Sequence, residues 1–547
     1  MGGLSNRAIA EVFREVETLL RVLGEEEGRA ITYGRVARLI ETHPASVADL
    51  AAAGALTSVK GIGPAIGKAV AELVDQGTCA LRQELEARLS PGILDLLQVP
   101  GLGPKRVRAI VDELGVASLE ELDAAAADGR LARVRGLGER SAAKVRQGVA
   151  FLADTRGLVG LADGWRLARA CAEGLGLPGA IVAGAARRGC PIVEELPLVV
   201  ACDPAKLAAS APGMGFHAAK GGWVRPRGRD PEVRVVAVAP GDLASALFRE
   251  TGPATHVAAV LARLPKGAPP PQSEEALYAA CGLHYVSPER RHVLDGTSPE
   301  PPLIERSDLQ GLIHCHTRWS DGALGVAEMA EAARERGFAY MGVTDHSRAA
   351  AYAGGLSVER LRAQGEEIAA WNARERAAGG RFRVLHGSEV DILPDGALDY
   401  PDDLLSALDF VIASVHSSFT QEEAAMTARI ERAVRHPLVD ILGHPTGMLR
   451  LRRAPYAVDM SRILGAAAES RCAIELNANP WRLDIDPAWH ARATAAGTRI
   501  PINPDAHSAD GIDDVEWGVL AARHGGLRRD DVPNTRDAEG FLRELGR

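Results

Sequence analysis

Cysteine is sparse in this 547-residue chain: seven residues, scattered from Cys79 to Cys472, with no CxxC pair. An odd, dispersed set excludes a disulfide framework and a thiolate zinc knuckle, and fits reduced thiols in a cytoplasm. No run approaches the ~18 continuous apolar residues of a membrane span. Residues 1–7 carry no apolar h-region, so neither a membrane anchor nor a secretory leader is expected. A cationic excess is missing too, since 63 basic and 72 acidic residues leave a net charge of −9. Any contact with nucleic acid must therefore come from placed groups and not from bulk charge. Lysine is the scarcer cation, with seven copies and none after Lys266. The remaining composition, 46% hydrophobic and 25% charged, is that of folded globular domains. The length exceeds what one core supports, so three or more domains are expected.

Three segments in the first 150 residues echo one another: Val59-Lys60-Gly61-Ile62-Gly63-Pro64, Val99-Pro100-Gly101-Leu102-Gly103-Pro104 and Val134-Arg135-Gly136-Leu137-Gly138-Glu139. Helical patterns flank each, and residues 6–42 read as helical as well, so the unit is helix, tight turn, helix. Glycine lets the backbone come close to a ligand, and the N-terminus of the following helix favours an anion. A single copy is equally an interhelical turn with glycine at the C-cap. Three copies favour a grip on DNA phosphate that does not read bases. Gly61, Gly63, Gly101, Gly103, Gly136 and Gly138 are the candidate contacts, with Lys60 and Lys105 adding Coulomb attraction.

Residues 158–262 change character, with short strands expected at 180–183, 196–201 and 233–238 between helices. Residues 264–303 are rich in proline and read as a connector, with one helix near 274–280. From residue 308 a strand–helix rhythm begins. Apolar runs end in polar groups at 311–316, 339–346, 382–389, 409–416, 438–444, 472–477 and 498–507. About seven βα units of this kind predict a barrel of parallel strands.

Six of those runs deliver imidazole or carboxylate at their C-terminal ends, which converge on one mouth in a βα barrel. The donors are His314 and His316, His346, Glu389, His416, His444, and Asp505 with His507; Asp321, just after the first strand, makes nine. Period-two alternation predicts that His314 and His316 share a face, with Cys315 turned to the core. His386, His436, His490 and His524 fit no strand end and read as structural. One tetrahedral ion takes about four ligands, so nine donors imply two or three ions sharing carboxylates. Nitrogen and oxygen donors without thiolate suit Mn, Zn or Fe. Such a cluster clamps the attacking and leaving oxygens of a phosphoester displacement, with a metal-bound hydroxide as nucleophile and no side-chain nucleophile. The amidohydrolase type of metal barrel also opens with His-x-His. It commonly places a carbamylated lysine at the fourth strand end, where this chain has His416.

Taken together, the hairpins and the signatures His314-x-His316, Ser320-Asp321-Gly322, Thr344-Asp345-His346, Gly443-His444-Pro445 and Asp505-x-His507 resemble the bacterial family X DNA polymerases. These carry a C-terminal polymerase-and-histidinol-phosphatase (PHP) domain. The resemblance implies an N-terminal helical DNA-binding domain with the first helix-hairpin-helix (1–85), a second hairpin or fingers-like region (86–157) and a nucleotidyltransferase palm (158–263). A thumb remnant and linker (264–305) and a distorted (βα)7 PHP barrel (306–547) complete it. It also implies a manganese-dependent 3′-5′ exonuclease on gapped, nicked or 3′-ended DNA, acting in repair as a cytoplasmic monomer without a membrane.

The palm departs from the family's pattern. Gly184 and Arg188 keep its opening, but Ala185 replaces the family's serine. The Asp-x-Asp pair falls on Glu195 and Pro197, and the third carboxylate on Glu232. Proline cannot ligate Mg²⁺, which phosphoryl transfer holds through carboxylates. Polymerase activity, and Mg²⁺ with it, is therefore expected to be lost or weak; a gap-filling polymerase with a PHP editing domain is the alternative. Abasic-site lyase chemistry needs a lysine amine, and the first 59 residues contain none.

Overall fold

The computed structural model describes residues 6–24, 27–41, 43, 45–56, 59–76, 78–99, 101–219, 222–228 and 230–547. Pro100 of the second Gly-x-Gly segment, and residues 1–5 of the N-terminus read for a leader, lie outside them. The chain divides into two compact units, Met1–Arg156 and Gly157–Arg547. Among the described residues no helix is long and apolar enough to cross a membrane.

The first unit is helical. The segment read as helical over 6–42 is two helices, Asn6–Leu23 and Glu27–Glu41; Gly24, at φ 69°, turns the chain out of the first. Ile9, Phe13, Val36, Ile40, Val70 and Leu73 form one core, and Val107, Ile110, Leu122, Leu131 and Val145 a second. The three Gly-x-Gly segments fold into the same turn. Ile62, Leu102 and Leu137 each donate their backbone N–H to the carbonyl three residues back, at 3.0, 3.0 and 2.9 Å. The leading glycines sit at φ 105°, 85° and 81°, which a side chain resists. Helices Pro64–Gln76, Pro104–Leu114 and Glu139–Thr155 follow directly.

The second unit opens with a two-stranded ribbon, β1 (Val159–Gly160) and β3 (Ile192–Val193). A five-stranded sheet holds β2 (Ile181–Val182), β4 (Glu195–Ala201), β5 (His217–Ala219), β6 (Gly222–Arg225) and β7 (Glu232–Val238) in the order β2-β4-β7-β6-β5. The stretch read as a connector has its expected helix at Glu274–Ala280 and is packed. Leu277, Tyr278, Cys281, Leu283 and Val286 join Phe248 and Val260 in a small core. Beside it the buried Arg291 pairs with Glu274 at 2.9 Å, and Glu274 also holds Arg187. Proline content hid this, because the apolar residues fall between the prolines.

The C-terminal part is a curled half-barrel. Its six parallel strands run in chain order: β8 (Gly311–Cys315), β9 (Tyr340–Val343), β10 (Arg383–Asp391), β11 (Phe410–Ser414), β12 (Ile441–Leu442) and β13 (Ala473–Ile474). Just beyond β13, β14 (Leu476–Asn477) pairs with β15 (Ile502–Asn503), and a bridge between Ala506 and Cys315 returns to β8. The interior is filled by Ile313, Tyr340, Leu385, Phe410, Ile412 and Ile441. Phe541, from helix Ala538–Leu545, packs edge-on against Phe410 at 6.0 Å.

Candidate metal centre

Parallel strands with helical returns put all their C-terminal ends on one side, so each strand's last residues face a common mouth. The sequence holds apolar side chains up to those ends and polar ones just past them, which is why the nine donors meet. At β8 the pleat alone does not bring the pair together. Leu312 pairs with Met341 and Cys315 with Val343, so β8 carries one extra residue between them. His314 occupies that bulge at φ 65°. The bulge re-aims its ring, a usual role of such insertions beside active sites, and the rings of His314 and His316 lie 5.2 Å apart. His444 (φ 23°) and Asp505 (φ 54°) share the left-handed region. Such backbone costs about 1–3 kcal/mol per residue and persists where surrounding structure over-determines it.

Glu389 lies at the centre of the cluster. Its oxygens stand 2.8 Å from His444 Nε2, 2.9 Å from His346 Nδ1, 3.2 Å from His416 Nε2, 3.4 Å from His314 Nε2 and 3.6 Å from His316 Nε2. Asp505 Oδ1 lies 3.3 Å from His316 Nε2 and 3.6 Å from His314 Nε2. Asp321 Oδ1 faces His507, His346 and His316 at 3.4, 3.7 and 3.9 Å. Four overlapping groups thus have donor atoms within 4.8 Å of one another: His316–Asp321–His346–His507, His314–His316–Asp505, His314–Glu389–His444 and His346–Glu389–His416. Asp321 is exposed and His507 and His416 are partly so, whereas the other six are buried, so solvent reaches the Asp321–His507 side.

The donors fit divalent ions on a test internal to the protein. The buried ring nitrogens His314 Nε2, His316 Nδ1 and Nε2, His346 Nδ1, His416 Nδ1 and His444 Nδ1 make no hydrogen bond. Leaving a buried polar atom unpaired costs about 1–3 kcal/mol, and six converge here. Imidazole with carboxylate is a donor set for Mn, Zn or Fe.

The charges are frustrated without a cation. Burial penalises the Glu389 carboxylate, yet His416, His314 and His346 hold its carboxyl well below the usual range. Asp505 is held down against burial by His314, His316 and His507. Burial, then His507 and His346, push the His316 imidazole down to about 3, while at His416 burial is overcome by Glu389 and Asp391 together, which raise it to about 10. Rings of one cluster are thus driven to opposite protonation states.

The nine residues expected as donors come together in the structure; the residues that support them were not foreseen. Glu475, fully buried beyond β13, accepts from His314 Nδ1 at 2.6 Å, the His444 backbone N–H at 2.7 Å, Asn503 Nδ2 at 2.8 Å and Asn477 Nδ2 at 3.1 Å. Asp391 lies 3.4 Å from His416 Nδ1. Asp345 ties together the Thr317 hydroxyl (2.6 Å) and backbone N–H (2.8 Å). Arg482 Nε stands 3.3 Å from Asp505 Oδ2. Outer partners of this kind fix ligand tautomer and orientation. The signal was there: Glu475 is a carboxylate inside an otherwise apolar run, Cys472-Ala473-Ile474-Glu475-Leu476. Cys315 is core, as its alternation implies.

The residues expected to form a palm site make no comparable cluster; among the described residues every group able to hold a metal lies in the C-terminal part. Glu195 and Glu232 face each other in register on β4 and β7, with Glu195 exposed. Pro197 is buried, and a Cβ on Gly184 would meet its ring at 2.8 Å. Arg188 donates to the Thr251 carbonyl, and Arg187 to the Thr251 hydroxyl at 2.7 Å. In the first unit Lys60 and Lys105 are exposed beside their turns. A Cβ at Gly63, Gly101, Gly103, Gly136 or Gly138 would meet nothing within 4 Å, so these positions face open space. Gly61 differs, since its Cβ would meet Leu39 at 2.9 Å.

Comparison with known proteins places these parts. Residues 5–79 match the helix-hairpin-helix domain, residues 93–149 the SAM-like helix-hairpin-helix tandem, and residues 313–479 the PHP domain. The chain is similar to the DNA polymerase/3′-5′ exonuclease PolX of Bacillus subtilis (strain 168), at 33% identity over 97% of this chain and 99% of that protein. It is also similar to a probable phosphatase of Thermoanaerobacter sp. (strain X514), at 29% identity over 41% of this chain and 89% of that protein. A probable phosphatase of Caldanaerobacter subterraneus subsp. tengcongensis matches at 29% over 36% of this chain and 74% of its own length.

Proposed function

Because this chain belongs to the PolX family, we propose that it is a DNA-repair enzyme of the cytoplasm. It shortens or cleans DNA 3′ ends as a metal-dependent 3′-5′ exonuclease, and its polymerase activity is lost or weak. The observation that carries the reading is the convergence of nine donors, five of them imidazoles facing Glu389, with buried ring nitrogens left unpaired. His314, His316, Asp321, His346, Glu389, His416, His444, Asp505 and His507 would hold two or three ions, Mn²⁺ first, with Zn²⁺ or Fe²⁺ as alternatives. Bound there, divalent ions supply Lewis acidity and an activated water.

The chain's own groups do the rest. Glu475 holds the Nδ1 proton of His314, which leaves Nε2 turned to the cluster. Asp321 and His507, at the wet end, face the incoming phosphodiester. The helical hairpins hold backbone phosphate with exposed N–H groups and the nearby lysines, so the grip is blind to sequence. In the palm, Pro197 stands where a carboxylate is needed, and Arg187 and Arg188 are engaged by Glu274 and Thr251.

The test is gapped DNA, labelled at either end, incubated with Mn²⁺ and the full chain. The 5′-labelled strand is expected to shorten stepwise and the 3′ label to leave as mononucleotide, both lost in His314→Ala/His316→Ala. Equal degradation by that variant refutes the reading. One observation favours a gap-filling polymerase as second reading, namely Glu195 and Glu232 side by side in register. Template-directed primer extension with Mg²⁺ or Mn²⁺ would establish it.

A further inference from the structure

The loop after β14 belongs to two cores at once. Arg482 stands 3.3 Å from Asp505 Oδ2, and Asn477 Nδ2 donates to the same oxygen at 3.1 Å. Oδ1 is thereby left to His314 and His316. The next residue, Leu483, is fully buried, not in the barrel's main core but in the core that the palm's Leu161, Val193, Leu196 and Val233 share with Ala521 of helix Val515–Gly525. Its backbone sits at φ 43°, a costly conformation for leucine. Neighbouring contacts fix the turn. Arg482 and Leu483 donate their N–H groups to the Asn479 carbonyl at 2.7 and 3.1 Å, and Arg450 Nη2 donates to the Leu483 carbonyl at 2.7 Å. The palm's Gly160 lies against the Pro480 carbonyl.

We propose that the palm's apolar core sets the orientation of the Asp505 carboxylate, acting through Leu483 and Arg482. The nucleotidyltransferase-like part is thus retained as the seat of a loop that the metal centre needs. Leu483 and Arg482 are positioning residues in this scheme, which rests on Asp505 being a metal ligand. Burying Leu483 pins the loop from the palm side. The guanidinium one residue earlier then meets Asp505 at a fixed angle, and one carboxylate oxygen is committed before any ion arrives.

The experiment measures Mn²⁺ affinity by calorimetry on the full chain for wild type, Leu483→Ala, Leu483→Met, Arg482→Ala and the Leu483→Ala/Arg482→Ala double variant. Leu483→Ala is expected to weaken binding about 10-fold, as loss of outer-sphere support does. Leu483→Met, which conserves volume, should restore it. In the Arg482→Ala background Leu483→Ala should add less than about twofold, because the two act through one path. If Leu483→Ala does not fold, Leu483→Val replaces it in both backgrounds, with about a threefold loss expected when Arg482 is present and none when it is absent. Wild-type affinity in the Leu483 variant, or losses that multiply in the double variant, overturns the inference. A wild-type protein that takes up no Mn²⁺ overturns the metal reading itself, a result distinct from either.

Discussion

Replacing Glu475 by glutamine tests the support of the metal centre with the smallest change of shape. One buried carboxylate there accepts from His314 Nδ1, the His444 backbone and the amides of Asn503 and Asn477, at 2.6 to 3.1 Å. Glutamine keeps the volume but turns one acceptor oxygen into an NH₂ donor, which then faces donors that were satisfied. His314 loses the negative partner that fixes its tautomer, and His444 is left with a weakened backbone anchor. Outer-sphere losses of this kind cost about 10–100-fold in metal affinity, or roughly 1.4–2.7 kcal/mol. Calorimetric titration with Mn²⁺ should show that weakening, and 3′-end hydrolysis at sub-saturating Mn²⁺ should fall in parallel. Saturating Mn²⁺ should return part of the activity. An unchanged affinity in the glutamine variant would refute the reasoning, since it would mean that His314 needs no partner at Nδ1.

Phe541→Ala should destabilise the second unit by about 3–5 kcal/mol in denaturant unfolding, because the ring fills the barrel interior against Phe410; a loss below 1 kcal/mol contradicts that packing. His490 is fully buried, and burial pushes its imidazole down to about 4. The folded state thus keeps it neutral while the unfolded chain protonates near 6.5. Its contribution is complete above pH 6.5 and is lost as pH falls from there towards 4, by up to about 3 kcal/mol at ~1.4 kcal/mol per pH unit. His490→Gln should flatten that acid limb of stability against pH, and an unchanged limb disproves the assignment. Lys105→Ala should weaken DNA binding alike for all sequences and reduce the slope of log affinity against log salt by about 1; a sequence-dependent effect would contradict phosphate contact.

Most residues expected as donors could be picked from the sequence because they lie at or just past the polar end of an apolar run. Position in the barrel then does the assembling. The hairpins were legible for a related reason: glycine takes the positive φ of Gly61, Gly101 and Gly136 without the cost a side chain adds, and the repeat prints that need three times. What escaped depends on side chains that meet across the fold. Glu475 lay in plain view but had no spacing rule to link it to His314, 161 residues away. The bulge at His314 carries no residue signature, since the histidine there is chosen for its ring. The helix at Glu274–Ala280 was expected, but the packing of the stretch to Arg291 was hidden by the prolines on either side, which mark turns whether the chain between them is loose or buried.

A single carboxylate shared by five imidazoles has a consequence for how the centre fills and empties. Five imidazoles within 3.6 Å of one carboxylate couple neighbouring ion positions, so losing one ion would loosen the donors that hold the next. Chelation should therefore strip the protein in one stage. A half-dosed preparation would be a mixture of complete and vacant molecules, with few in between.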